Sequence, residues 1–195
     1  PKKLVRTMES WVAASVKARA GSPLVLCAMG DGTSQQGEVL EAIAHAVRDS
    51  LPVLFLIENN RYAISVKTEG RTFFSRPDGE AAEYYGIPIQ RIDGCDAAAA
   101  WRGFGSAVAG LRETRRPALV VFEAERLANH TNADDHRVYR DTDEIEHVRA
   151  EHDPLLALEE ALVEAGVPKA RLEETKKRIE GETAAAAAEA QEAAE

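Results

Sequence analysis

Met29-Gly30-Asp31-Gly32-Thr33-Ser34-Gln35-Gln36-Gly37-Glu38 and, further on, Glu58-Asn59-Asn60-Arg61-Tyr62-Ala63-Ile64-Ser65 decide the fold of this chain. Each stretch follows a short apolar run, residues 23–29 and 52–57. Both runs are continuous and rich in Val, Leu and Ile, which predicts buried strands of a parallel sheet. Between them, residues 35–49 carry Val39, Leu40, Ile43, Ala44 and Val47 at helical spacing, so the unit reads strand–loop–helix–strand. Successive parallel strands end on one edge of the sheet. Asp31 and Asn60, far apart in the chain, are therefore expected at the same edge, where open α/β sheets bind their ligands.

The residue types at that edge suggest what is bound. Asp31 offers an anionic oxygen, Asn60 a neutral one, and the irregular chain after Asn60 offers backbone carbonyls. All-oxygen ligation with little protein charge suits Mg²⁺, which commonly shares its shell with phosphates. Gly30 and Gly32 let the backbone come close. A helix starting near Ser34 would aim its N-terminal amides at the same place, favouring an anion. Together these features point to a diphosphate held through a divalent cation.

Gly30-Asp31-Gly32 followed by Asn59-Asn60 resembles the thiamin diphosphate signature. The wider wording is similar to the alpha subunit of the decarboxylating component of 2-oxo acid dehydrogenase complexes. A third match lies at His130-Thr131-Asn132-Ala133-Asp134-Asp135, followed by Tyr139-Arg140, in the expected order. The resemblance implies a three-layer thiamin diphosphate-binding fold, a mostly parallel sheet flanked by helices, with a C-terminal helical segment. Residues 1–142 would form the cofactor domain and 143–195 the helical segment and tail. Asp31, Asn60 and the backbone carbonyl of Tyr62 are implied as Mg²⁺ ligands. Gly30, Gly32, Thr33, Ala63 and Ile64 are implied as further contacts to thiamin diphosphate. His130 is implied as the catalytic histidine beside the cofactor, on a loop shaped by Asp134, Asp135, Tyr139 and Arg140. Thr131 stands where animal members of that family carry a regulatory serine.

The same resemblance implies partners. A beta subunit or beta region would complete the site, a second alpha chain would make an α₂β₂ assembly, and the lipoyl domain of an acyltransferase would receive the acyl group. The substrate would be a 2-oxo acid, with Tyr62-Ala63-Ile64-Ser65 and Asp134-Asp135 worded more like branched-chain members than pyruvate members. The family's alpha subunits carry a long additional N-terminal region. Against them the chain is expected to be a fragment, a cleaved product or one piece of a split or fused enzyme. An acetoin-type or transketolase-like thiamin enzyme, or a non-catalytic interaction module on the same fold, are the alternatives.

Composition agrees with this class. The 195 residues are 45% hydrophobic, enough for one good core. Lys and Arg number 24 against 33 Asp and Glu, a net charge of −9, which argues against general nucleic-acid binding. No apolar run reaches the length of a membrane span and no secretory signal opens the chain. Cys27 and Cys95 have no metal or redox spacing; Cys27 reads as a core residue. A reducing, cytoplasmic setting is expected, or the mitochondrial matrix.

Elsewhere the periodicity predicts helices over residues 4–20, 78–85 (ended by Gly86) and 97–114. The last is capped by Asp96, with Trp101, Phe104, Val108 and Leu111 inward. Residues 62–74 read as an extended loop, 87–92 and 117–123 as strands. Residues 125–142 form a polar segment long enough to be functional. A metal site on His130 and its two aspartates would need a second histidine at ligand spacing, which is missing. A helix begins at Thr142. Another begins at Asp153-Pro154 with Leu155, Leu156, Leu158, Leu162 and Val163 buried. Residues 170–195, rich in Ala, Glu and Lys, favour a helix without a strong apolar face. His45, His147 and His152 read as surface or packing residues, and Arg71 and Arg76 as surface charges.

Overall fold

The computed structural model describes residues 23–193; the helix expected over residues 4–20 lies outside them. The chain divides into two compact units after Pro154. The first opens with β1 (Val25–Gly30), α1 (Gly37–Arg48) and β2 (Val53–Asn59), the expected strand–helix–strand unit. Two small hairpins follow, β3 (Tyr62–Ala63) with β4 (Val66–Lys67) and β5 (Ser75–Arg76) with β6 (Gly79–Glu80). Then come β7 (Glu83–Tyr84), β8 (Ile87–Asp93), α2 (Ala97–Thr114), β9 (Ala118–Glu123) and α3 (Thr142–Glu151). The main sheet has the order β1-β2-β9-β8-β7, parallel throughout except for the β7–β8 hairpin.

Strand alternation divides the core into two layers. On one face Cys27, Met29, Phe55, Ile57, Leu119 and Val121 pack under Val39, Ile43 and Ala46 of α1. On the other, Leu54, Val120 and Ile92 meet Ala107 and Leu111 of α2. Cys27 is 1% exposed, and burial pushes its thiol up to about 11. The outer edge strand β1 departs from expectation. Leu26, on its second face, is 51% exposed: among the described residues the layer under α2 includes no residue of β1.

Two further expectations need correcting. Residues 78–85 form no helix: Pro77-Asp78 closes the β5–β6 hairpin and Tyr85-Gly86 closes β7–β8. Tyr85 (φ 50°) and Gly86 (φ 73°) are both left-handed, the geometry that matches a two-residue hairpin turn to strand twist. Trp101 does not face inward and is 84% exposed. The inward line of α2 runs through Gly103, Ala107 and Leu111. A Cβ on Gly103 would lie 3.0 Å from Ile92, so this close approach leaves Trp101 turned outward. Asp96 does cap α2, accepting from the amides of Ala98 and Ala99.

The second unit holds α4 (Pro154–Glu164) and α5 (Lys169–Glu192). No residue of α4 is buried: Leu155, Leu156 and Leu158 are 60%, 47% and 39% exposed, while Leu162 and Val163 are half-buried. A pair of helices has too little volume to enclose these side chains. Lys176 of α5 pairs with Glu159 of α4 at 2.7 Å. Among the described residues, no helix is long and apolar enough to cross a membrane.

Candidate functional site

The β1–β2 register places Gly30 beside Glu58, so the residues that follow both strands leave the sheet at one edge. The Asp31 amide donates to the Glu58 carbonyl at 3.2 Å, which fixes the first turn against the end of β2. Asp31 itself is 3% exposed. Its Oδ1 accepts from the Gly32 amide at 2.8 Å and its Oδ2 from the Thr68 hydroxyl at 2.8 Å. Among the described residues no Lys, Arg or His stands within ion-pair distance of it. A buried carboxylate is costly unless it is hydrogen-bonded or paired with a cation, and here two hydrogen bonds are its described partners.

The helix start differs from expectation. Thr33–Gln35 form a 3₁₀ turn, the extended Gln36 (ψ 144°) interrupts it, and α1 begins at Gly37. The Ser34 hydroxyl donates to the Asp31 carbonyl, tightening this turn before the helix can begin. Thr33 lies exposed at its head.

The second turn is strained at defined points. Arg61 (φ 65°) and Ile64 (φ 58°) are left-handed without being glycine. Asn60 Oδ1 accepts from the Tyr62 amide at 3.0 Å, and Asn59 Oδ1 accepts from the Arg61 amide at 3.2 Å. Both asparagines thus act as local backbone clamps. Tyr62 is buried, its hydroxyl donates to Glu144 at 3.1 Å, and the guanidinium groups of Arg126 and Arg140 each lie 5.0 Å from its ring centre. Gly32 and Ala63 bring the two turns into contact: a Cβ on Gly32 would lie 2.7 Å from that of Ala63.

The loop after β9 leaves the same edge, because Asn59 is in register with Glu123. Arg126 reaches back and donates to the Ile64 carbonyl at 2.7 Å. His130 is exposed and its amide donates to Asp134 at 2.8 Å; no hydrogen bond joins its ring to either turn among the described residues. Asp134 also accepts from the Tyr139 hydroxyl at 2.6 Å, and that bond, followed by the His130 amide, holds its carboxyl below the usual range. Asp135 is lowered to about 2 by Arg137. Arg140, 4% exposed, ties the loop together through the Arg126 carbonyl and Glu144. No group of three or more His, Cys, Asp or Glu side chains among the described residues is arranged around a metal position.

The structure therefore brings Gly30, Asp31, Gly32, Asn60, Tyr62, Ala63 and Ile64 to one corner and attaches the His130 loop through Arg126. Sequence reasoning missed Thr68, Glu144, Arg126 and the Asn59–Glu123 bond of 2.8 Å. The burial of Thr68 between two exposed neighbours, Lys67 and Glu69, carries no pattern that a sequence displays.

A mostly parallel α/β sheet with turns gathered at its carboxyl edge has the form of the open α/β proteins, a class whose ligands bind at that edge. The chain belongs to the dehydrogenase E1 component family, whose family model matches residues 5–195. It is 31% identical over 151 residues to the pyruvate dehydrogenase E1 component subunit alpha of Rhizobium meliloti (strain 1021), covering 76% of this chain and 42% of that protein. With the subunit of the same name from Zymomonas mobilis subsp. mobilis it shares 34% identity over 143 residues, 73% of this chain and 40% of the relative. With the somatic mitochondrial form from Homo sapiens it shares 30% over 165 residues, 85% and 41% respectively. The chain thus spans about two fifths of the length of these curated relatives.

Proposed function

We propose that this chain is the diphosphate- and magnesium-holding part of a thiamin diphosphate-dependent 2-oxo acid dehydrogenase. The observation that carries it is Asp31: a buried carboxylate with no counter-charge among the described residues, at the sheet edge and in the Gly30-Asp31-Gly32 stretch that resembles the thiamin diphosphate signature. The donor set fits the group. Asp31, the Asn60 side chain and the Tyr62 carbonyl are hard oxygen ligands suited to Mg²⁺. The Ala63 methyl fills the space beside Gly32, while the backbone at Gly30 is open, since a Cβ added there would meet nothing within 4 Å; that opening would admit the diphosphate. Gly30, Thr33 and Ile64 complete the cradle.

Bound thiamin diphosphate would supply the carbanion that decarboxylates the 2-oxo acid and carries the acyl group toward a lipoyl acceptor. The residues of this chain bind and orient. Asp31 would offset part of the charge of the cation and Asn60 would help to hold it in place for the diphosphate. Arg126, anchored on Ile64, holds the loop that carries His130, which would serve as the catalytic histidine beside the cofactor. The beta subunit or region completes the site, in an assembly with a second alpha chain, and the lipoyl domain of the acyltransferase is the acceptor. Every relative named above carries pyruvate in its name, so the branched-chain leaning of the sequence wording has no support and pyruvate is the proposed substrate.

The test is Mg²⁺-dependent binding of thiamin diphosphate to the chain with its beta partner, followed by turnover of pyruvate, branched-chain 2-oxo acids and sugar phosphates. Binding that Asp31→Ala abolishes, with carbon dioxide release from pyruvate, is the expected result. Binding unchanged by Asp31→Ala overturns the metal assignment. Sugar-phosphate transfer would instead make it a transketolase-like enzyme, and a stable complex that binds no cofactor would make it an interaction module.

A further inference from the structure

We infer that Thr68 is a positioning residue that locks the two turns of the cofactor corner together and sets the Asp31 carboxylate to receive a divalent cation. The inference rests on the metal site proposed above and deepens it. Thr68 belongs to neither motif. It follows Val66 and Lys67, which are exposed, and precedes exposed Glu69, yet is itself only 6% exposed. A threonine turned inward alone from an exposed strand end needs polar partners inside, and it has two. Its hydroxyl donates to Asp31 Oδ2 at 2.8 Å, across 37 positions of sequence. Its amide donates to the Arg61 carbonyl at 3.0 Å.

The second bond falls on a telling peptide. Arg61 stands between Asn60 and Tyr62, the other two candidate ligands, and holds the left-handed φ of 65° that turns the chain between them. Thr68 therefore grips one ligand by its side chain and the link between the other two by its backbone. A hydroxyl has one proton to donate, and here it is committed to Oδ2, while the Gly32 amide is committed to Oδ1. Each carboxylate oxygen keeps one further lone pair. The carboxylate cannot rotate without breaking both bonds, so those lone pairs are held in one direction. Partners of this kind behind a ligand commonly change metal affinity by about 10–100-fold when removed.

The experiment uses the assembled enzyme, this chain with its beta partner. Thiamin diphosphate binding is titrated with Mg²⁺ for the wild type, Thr68→Val and Thr68→Ser, and melting temperatures are read with and without Mg²⁺. Thr68→Val keeps the shape and removes the hydroxyl. It is expected to raise the half-saturating Mg²⁺ concentration about tenfold or more, and to lose most of the Mg²⁺-induced rise in melting temperature. Thr68→Ser is expected to restore both. If Thr68→Val does not fold, Thr68→Cys, a weaker donor, is expected to shift the Mg²⁺ requirement in the same direction by less. Unchanged Mg²⁺ requirement in the folded variant, with a uniformly lowered melting temperature, assigns Thr68 to packing alone and overturns the inference while the proposed function stands. A wild type that shows no Mg²⁺-dependent binding overturns both.

Discussion

Gly32 and Ala63 touch so closely that a methyl group on Gly32 would lie 2.7 Å from the Ala63 Cβ. This contact joins the turn after β1 to the turn after β2, the two halves of the candidate site. Gly32 has φ −64°, open to any residue, so its replacement tests the contact and not the backbone. Gly32→Ala is expected to destabilise the chain by about 1–3 kcal/mol through overpacking and to push the turns apart. Ala63→Gly in the same chain removes the opposing methyl and should recover part of both stability and Mg²⁺-dependent binding. A chemical-denaturation double-mutant cycle checks it: a coupling energy near zero would show that the turns relax independently.

A second relationship supports Asn60 from behind. Asn59 is 7% exposed and its amide donates to Glu123 Oε2 at 2.8 Å, while Glu123 Oε1 pairs with Arg91. Arg91 in turn reaches Glu80 at 3.0 Å and the Phe74 carbonyl at 2.6 Å. The chain of bonds runs from β9 through β8 to the β5–β6 hairpin, and its near end sets the Asn59 side chain that clamps the Arg61 amide. Glu123→Ala leaves the buried Asn59 amide without its acceptor and takes from Arg91 one of its three partners, Glu80 and the Phe74 carbonyl remaining. The expected cost is about 2–4 kcal/mol, greater than for Glu123→Gln, which keeps an acceptor for Asn59. Urea denaturation of the two variants checks the order; equal losses would mean that the Arg91 charge alone matters.

The site was legible where it depended on strand direction. Two apolar runs with a helix between them dictate a shared edge, so Asp31 and Asn60 could be placed together without coordinates. The helix over residues 78–85 failed because a run such as Glu80-Ala81-Ala82-Glu83 favours helix locally, while Pro77, Gly79 and the left-handed Tyr85-Gly86 pair impose hairpins. Trp101 failed for a different reason. An apolar side chain at helical spacing looks inward until a glycine on the neighbouring face, Gly103, lets the helix roll toward Ile92. Thr68 and Glu144 were invisible because what matters in each is a single long-range bond, and one hydrogen bond leaves no periodic trace.

Acid should loosen the His130 loop from its own carboxylate. Asp134 accepts from Tyr139 and from the His130 amide, and these bonds hold its carboxyl below 3.8. A carboxyl lowered in the folded state stabilises the loop at any pH above its ordinary value, and that support fades as pH falls through the lowered one. Asp134→Asn should therefore increase amide exchange over residues 130–139 at neutral pH, and should remove any further increase on acidification. Hydrogen exchange of the two proteins between pH 6 and pH 3 checks it, and parallel curves would assign the loop's order elsewhere.

His136 should act at milder pH and in the same segment. It is 3% exposed, its Nδ1 has no partner among the described residues, and its carbonyl accepts from the Arg140 amide at 2.8 Å. Burial, then the nearby charges of Arg140, Arg149 and Arg126, push its pKa below 6.5, with Asp134 opposing weakly. The folded loop therefore holds the neutral ring. Above 6.5 both folded and unfolded forms are neutral and the loop keeps its full stability. As pH falls from 6.5 toward the lowered value, the unfolded form takes the proton first and stability declines. Protonation in place would set a cation among three arginines, close to the buried Arg140 that ties the loop to Glu144. Loop opening, read by hydrogen exchange over residues 129–140, is thus expected to rise between pH 7 and pH 5. His136→Gln, which does not titrate, should flatten that rise. If the variant keeps the wild-type pH dependence, the charge that loosens this loop belongs to another group.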